Sequence, residues 1–357
     1  MKKNIFKKIT SSCLVAFMLL LSSFANLSKV EAASTMQTLL YGGLAFAYIN
    51  GQLNNLNDNH QKDLLQQAQR QTGVYENEAM TAKVDSIANR LMSNGIVKEH
   101  YAVYVTPDKS FNAFCTLGHI VAVNRGAVEL LNEDELAAVM GHEMSHGEHK
   151  DPVEGTKKAV GVGVLVDLYI QNNPNTTSTV LSSAAGNYVN NEVITMQQEW
   201  NADNAGFVNA VAAGYNPGGG AASMVVLRAK LGELWHEGLS KVINPNNHPK
   251  TSDRINNFAK HMTDFSGGVV TVKKDKTVQL KGQDIATPAK AFGLMSEERA
   301  YLVAGNLARV YHNNALSTAY VDSDGAIYIG DQKIMTPADN DENGQDIADR
   351  INRITGQ

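Results

Sequence analysis

Cysteine is nearly absent. Cys13 and Cys115 are the only two in 357 residues, so the chain is not a disulfide-stapled scaffold. Basic charge is short as well. Lys and Arg total 31 against 36 Asp and Glu, for a net charge of −5, which argues against nucleic acid and against a polybasic membrane patch as partners. Long apolar runs are missing beyond the N-terminus. The longest, Ala159 to Ile170, contains Asp167 and is too short to cross a bilayer, so no stable membrane span is expected in the mature chain. The N-terminus itself differs: Lys2, Lys3, Lys7 and Lys8 precede an apolar run from Cys13 through Leu21, followed by Val30-Glu31-Ala32. This predicts a signal peptide over 1–32, cleaved after Ala32, and a periplasmic or extracellular protein. Cleavage removes five Lys and one Glu, leaving 26 basic against 35 acidic residues and a net charge of −9. Cys13 lacks a leucine at the offset a lipoprotein needs, and a single cysteine then remains.

What is present is His142-Glu143-Met144-Ser145-His146. Histidines four apart on a helix project from one face, where both imidazoles reach a single ion, and the intervening glutamate stands beside its water. Asn132-Glu133-Asp134-Glu135 reads as a capping box, and Leu136, Val139 and Met140 supply an apolar stripe, so the motif lies on a helix. Gly147 and Pro152 mark its end.

A hydrolytic zinc takes three protein ligands and keeps a fourth position for water. His149 is excluded, because seven helical residues rise about 10.5 Å. Glu199 is the better third ligand. It opens Glu199-Trp200-Asn201-Ala202-Asp203 on a second helix, with Val193, Met196, Phe207, Val208 and Val211 spaced for burial. Asp203, on the same face, can accept the free N–H of a zinc-bound histidine.

These residues resemble the zinc metallopeptidase family of the CAAX prenyl proteases and HtpX, in its soluble bacterial envelope branch. The matching residues are Asn112-Ala113-Phe114, Gly118-His119-Ile120, Asn132 to Leu136, His142 to His146, Glu199 with Ala202-Asp203, and His248-Pro249 with Arg254-Ile255. The resemblance implies an α+β fold, with a mainly helical gluzincin catalytic domain and a small sheet. It implies one Zn2+ per chain on His142, His146 and Glu199, Glu143 as general base and Asp203 behind the ligands. His248 and Arg254 are candidates for a second oxyanion donor, or His248 for an inhibitory fourth ligand. Asn201 departs from the acidic residue common in the family, but points off the functional face.

Tyr101 to Val105 and His119 to Val123 read as strands separated by a turn-like stretch. The resemblance makes the strand before the zinc helix an exposed edge that receives an extended peptide substrate, with Asn112, Ala113 and His119 beside it. Cys115 reads as a small buried hydrophobe rather than a thiol switch. Residues 33–73 read as a helical segment bracing the core, and 74–265 as the metallopeptidase domain. Gln171 to Asn191, rich in Asn, Ser and Thr, reads as a solvated loop or a lid.

Residues 266–357 carry a duplication. The pattern from Val272 through Thr287-Pro288-Ala289 returns 49 residues later, from Val321 through Thr336-Pro337-Ala338, and a helix pattern follows each copy. This predicts two β-β-α repeats, which either recruit an envelope partner or substrate as a separable module or pack as a brace. Asp322-Ser323-Asp324-Gly325 reads as a hairpin turn, not a calcium loop.

Two functions fit these residues: an endopeptidase acting on misfolded or unassembled envelope polypeptides, or a non-catalytic or latched assembly factor with a zinc site. Glu143 favours the enzyme, since a closed structural site has no use for a base.

Overall fold

The computed structural model describes residues 35–160, 164, 168, 173–188, 194–233 and 249–357. The leader expected over 1–32 and His248 lie outside these. The fold is mainly helical with three small sheets, an α+β arrangement. Among the described residues, no helix is long and apolar enough to cross a membrane.

A three-stranded sheet separates two apolar cores. Strands β1 (Ala102–Thr106), β2 (Ala113–Thr116) and β3 (Ile120–Asn124) pair in the order β1-β3-β2, with β3 parallel to β1 and antiparallel to β2. Side chains alternate across a strand. Val105, Ala113, Cys115, Val121 and Val123 therefore join the main core. Tyr104, Phe114, Ile120 and Ala122 face a smaller core closed by Ile49, Leu53 and Leu56 of α1 (Thr35–Asn59) and Leu64 of α2 (Gln61–Thr72).

The strand expected at the exposed edge is central instead. β3 pairs on both sides, and the edge beside it is β2, formed by residues read in the sequence as a turn-like stretch. The reversal between β2 and β3 is tight, with Gly118 at φ 86° and His119 at φ 54°. Asn57 secures it, accepting from Gly118 N through Oδ1 (3.1 Å) and contacting His119 Nε2 through Nδ2 (3.0 Å).

After α3 (Glu78–Ser93), the sheet and α4 (Arg125–Leu130) comes the motif helix α5, Glu133–Glu148. Its capping box forms in full: Asn132 Oδ1 accepts from Glu135 N and Glu135 Oε2 from Asn132 N, both at 3.0 Å. Lys150, at φ 59°, then reverses the chain into α6 (Asp151–Val160). The stretch read as a loop or lid is helical where described, as α7 (Pro174–Tyr188). Next come α8 (Met196–Ala212), α9 (Gly219–Leu231) and α10 (Thr251–Phe265). On α8 Phe207 and Val211 are buried, but Met196 and Val208, expected inside, are about half exposed.

Each C-terminal repeat has three strands before its helix, one more than the β-β-α reading. The first is β4 (Val270–Val272), β5 (Val278–Leu280), β6 (Gln283–Ala286) and α11 (Ser296–His312). The second is β7 (Ala319–Val321), β8 (Ile327–Ile329), β9 (Gln332–Met335) and α12 (Gly344–Thr355). Both sheets are antiparallel meanders with an irregularity at the same place, Val278/Gln279 and Ile327/Tyr328. The repeats pack as a brace rather than a detached module. One buried cluster runs from Val84 through Met140 and Ile255 to Ile351. A Cβ on Gly305 of α11 would collide with the backbone of Gly218 and the side chain of Asn216. Asn216 also takes Asp134 Oδ1 through its backbone N–H (2.9 Å) and gives Nδ2 to Leu302 O (2.9 Å).

Candidate metal centre

Two glycines let the helices meet. α5 and α8 cross at Gly141 and Gly206, where a Cβ on Gly206 would stand 2.7 Å from His142 N. That approach places the Glu199–Asp203 face of α8 against the two histidines. α8 begins with its own capping box, Thr195 with Gln198, so Glu199 sits in the first turn.

Three buried side chains converge. His142 Nε2 and His146 Nε2 are 3.1 Å apart; Glu199 Oε1 is 3.5 Å from His146 Nε2, and Oε2 is 3.7 Å from His142 Nε2. Among the described residues they are the one group of His, Cys, Asp or Glu able to share a metal. Each histidine turns its other nitrogen to a carboxylate: His142 Nδ1 to Asp203 Oδ1 at 2.9 Å, and His146 Nδ1 to Asp151 Oδ2 at 2.8 Å. Those partners fix Nδ1–H on both rings and aim both Nε2 lone pairs at the same point as the Glu199 carboxylate. Three acceptors facing one another require a cation between them. Ligand atoms at about 2.0–2.1 Å around a tetrahedral zinc lie about 3.3 Å apart, which the 3.1–3.7 Å triangle matches.

The electrostatics agree. Burial lowers the pKa of His142. Burial acts the same way on His146, but hydrogen bonds with Asp151 and Glu199 outweigh it and raise its pKa to about 10, so without metal a proton on His146 Nε2 takes the place of the cation, and metal binding must displace it. Burial would raise Asp203, yet the Arg254 charge and the His142 bond hold its carboxyl below the ordinary range.

Arg254 enters from the first turn of α10. It lies against Asp203, with Nε donating to Oδ2 (2.8 Å) and Nη2 to Oδ1 (2.5 Å), while Nη1 is 3.7 Å from Glu199 Oε2. Its fork thus fixes the Asp203 carboxylate behind His142 and sets a positive charge beside the ligand Glu199. Glu143 is half-buried beside His142. Asn112 accepts from Asn124 N through its carbonyl, and Ala113 begins the edge strand β2. His119 is buried at the β2–β3 reversal, edge-on to Tyr101 and 3.5 Å from Asp58. Asn201 is exposed, bonded to Gln197.

Asp151 escaped the sequence reading. Five residues after His146 it lies off the helical face, and only the left-handed turn at Lys150 swings it beneath the imidazole. An acid directly after the helix-ending glycine region was the available signal.

Known proteins share part of this sequence. Residues 78–262 match peptidase family M48. A protein of Archaeoglobus fulgidus named Protease HtpX homolog is 34% identical over 149 residues, 41% of this chain and 41% of that protein. Proteins of the same name from Desulfatibacillum aliphaticivorans and Campylobacter curvus are 33% identical over 96 residues and 40% over 70. These two alignments span 31% and 24% of the relatives' own lengths.

Proposed function

The chain belongs to peptidase family M48, and from that premise we propose that it is an exported zinc endopeptidase of the cell envelope, acting on misfolded or unassembled polypeptides. The observation that carries the catalytic reading is the convergence of His142 Nε2, His146 Nε2 and the Glu199 carboxylate, each imidazole backed by its own carboxylate. Zinc, when bound, lowers the pKa of water towards 7 and polarises a peptide carbonyl. Glu143, one residue along α5 from His142, takes the water proton and returns it to the leaving amine. His142, His146 and Glu199 would hold the metal; Asp203 and Asp151 would keep the metal-bound rings in one tautomer, and the Arg254 charge favours the ionised Asp203 carboxyl.

Substrate lies along β2 as an added strand. In an antiparallel pair backbone groups alternate in direction. The Asn112 carbonyl bonds Asn124 N, which directs the N–H and C=O of Ala113 and Cys115 away from β3. Recognition through backbone groups accepts many sequences, as a protein-quality-control protease requires. The export reading rests on the charged and apolar pattern of residues 1–32, and recruitment of a partner by the C-terminal repeats remains part of the same proposal.

The test is Glu143→Gln. It should retain zinc and fold while cleavage of unfolded casein falls by at least about 100-fold, the span of a general base. Equal cleavage by both proteins would remove Glu143 from the mechanism.

A further inference from the structure

Asp151 is buried and uses both of its oxygens. Oδ2 holds His146 Nδ1, and Oδ1 accepts from Gln198 Nε2 at 2.6 Å. Gln198 immediately precedes the ligand Glu199. Its other amide atom, Oε1, accepts from Thr195 N (2.8 Å) and Thr195 Oγ1 (2.9 Å), closing the capping box of α8.

Capping by itself does not call for glutamine. At the third position of the box Glu serves as well as Gln, because only an acceptor toward the N-cap is needed. A donor facing Asp151 is a different requirement, and of the two side chains only the amide supplies it. A glutamate at this place would bring two carboxylates to hydrogen-bond distance beside a metal ligand.

We propose that Gln198 is a positioning residue for the metal centre: its amide holds the Asp151 carboxylate that holds His146, so one hydrogen-bonded chain registers two ligands on different helices, His146 and Glu199. The link runs from Gln198 through Asp151 to the imidazole, and the Thr195 hydroxyl lies outside it. It ties the start of α8 to the end of α5 independently of the glycine crossing at Gly206, about two turns further along α8. The proposal rests on the zinc reading of the site, which wild-type binding checks separately.

The experiment measures zinc affinity by competition with a chromophoric chelator, cobalt(II) absorption as a report of ligand geometry, and thermal unfolding of the metal-free protein. Wild type that binds no zinc would end the zinc reading itself. Given wild-type binding, Gln198→Glu, which preserves the cap, should weaken zinc by about 10–100-fold and change the cobalt spectrum. Thr195→Ala, which removes the cap hydroxyl and leaves the Asp151 link, should lower apo stability and leave zinc affinity unchanged. Adding Asp151→Asn to Gln198→Glu should bring affinity back above that of Gln198→Glu alone, because asparagine donates to the new carboxylate while still accepting from His146. Gln198→Glu binding zinc as tightly as wild type, or a double variant with no recovery, would overturn the proposal. If Gln198→Glu does not fold, the uncharged Gln198→Met carries the test: it should loosen zinc beyond Thr195→Ala, and equality between them would overturn the proposal.

Discussion

Gly206 of α8 rests directly on the backbone of His142, with room for no further carbon between them. The separation of the two ligand-bearing helices is set there, and with it the 3.5–3.7 Å reach from Glu199 to the imidazoles. Gly206→Ala must push the helices apart. It should cost about 1–3 kcal/mol of stability, as overpacking does, and weaken zinc as well. Thermal unfolding and chelator competition check both, and an unchanged zinc affinity would contradict the geometry.

Metal content follows from the ligand set. One zinc per chain is expected by elemental analysis of the purified protein, lost on His142→Ala, His146→Ala or Glu199→Ala. Asp203→Asn keeps all three ligands and should lower affinity or activity by about 10–100-fold. Full zinc occupancy in Glu199→Ala would remove the third ligand from the assignment.

The buried pair Glu135 and Glu298 gives a pH signature. Burial first, and the facing Glu298 second, raise the Glu135 pKa from 4.5 to about 9, so the folded protein holds a proton there that the unfolded chain releases. The folded state binds more protons between those values, so stability present below about pH 4.5 is lost as pH rises towards 9. Glu135→Gln keeps an acceptor for Asn132 N and removes the titration. Its Tm relative to wild type should rise steadily from pH 5 to pH 9; a flat difference would place the proton elsewhere.

A chain ending after Phe265 should not yield a folded, soluble protein. It retains every metal ligand but uncovers the core face against which Leu307 and Ile351 pack, and it leaves Tyr215 O without Arg309. Circular dichroism and zinc titration of that truncation decide between brace and separable module. A zinc-loaded, cooperatively unfolding fragment would refute the brace.

The local elements were legible because their causes are local. The Asn132–Glu135 box, the four-residue spacing of His142 and His146, and that of Glu199 and Asp203 state a helix and a shared face within a few residues. The duplication was visible for the same reason, although β4 and β7, three residues each, carry too short a pattern to separate from their turns.

Strand order depends on pairing between distant segments. β3 and β2 are both short and apolar, and nothing along the chain says which one lies inside the sheet. Likewise, Asp151 reaches His146 only because Lys150 adopts a left-handed conformation, and Arg254 meets Asp203 across 51 residues of chain. By itself the sequence determined a metal-binding helix pair and a repeated C-terminal unit, through periodicity and capping. Only the tertiary structure decided which carboxylates hold the ligands, which strand is the edge and that the repeats close the core, because those follow from packing between residues far apart in the chain.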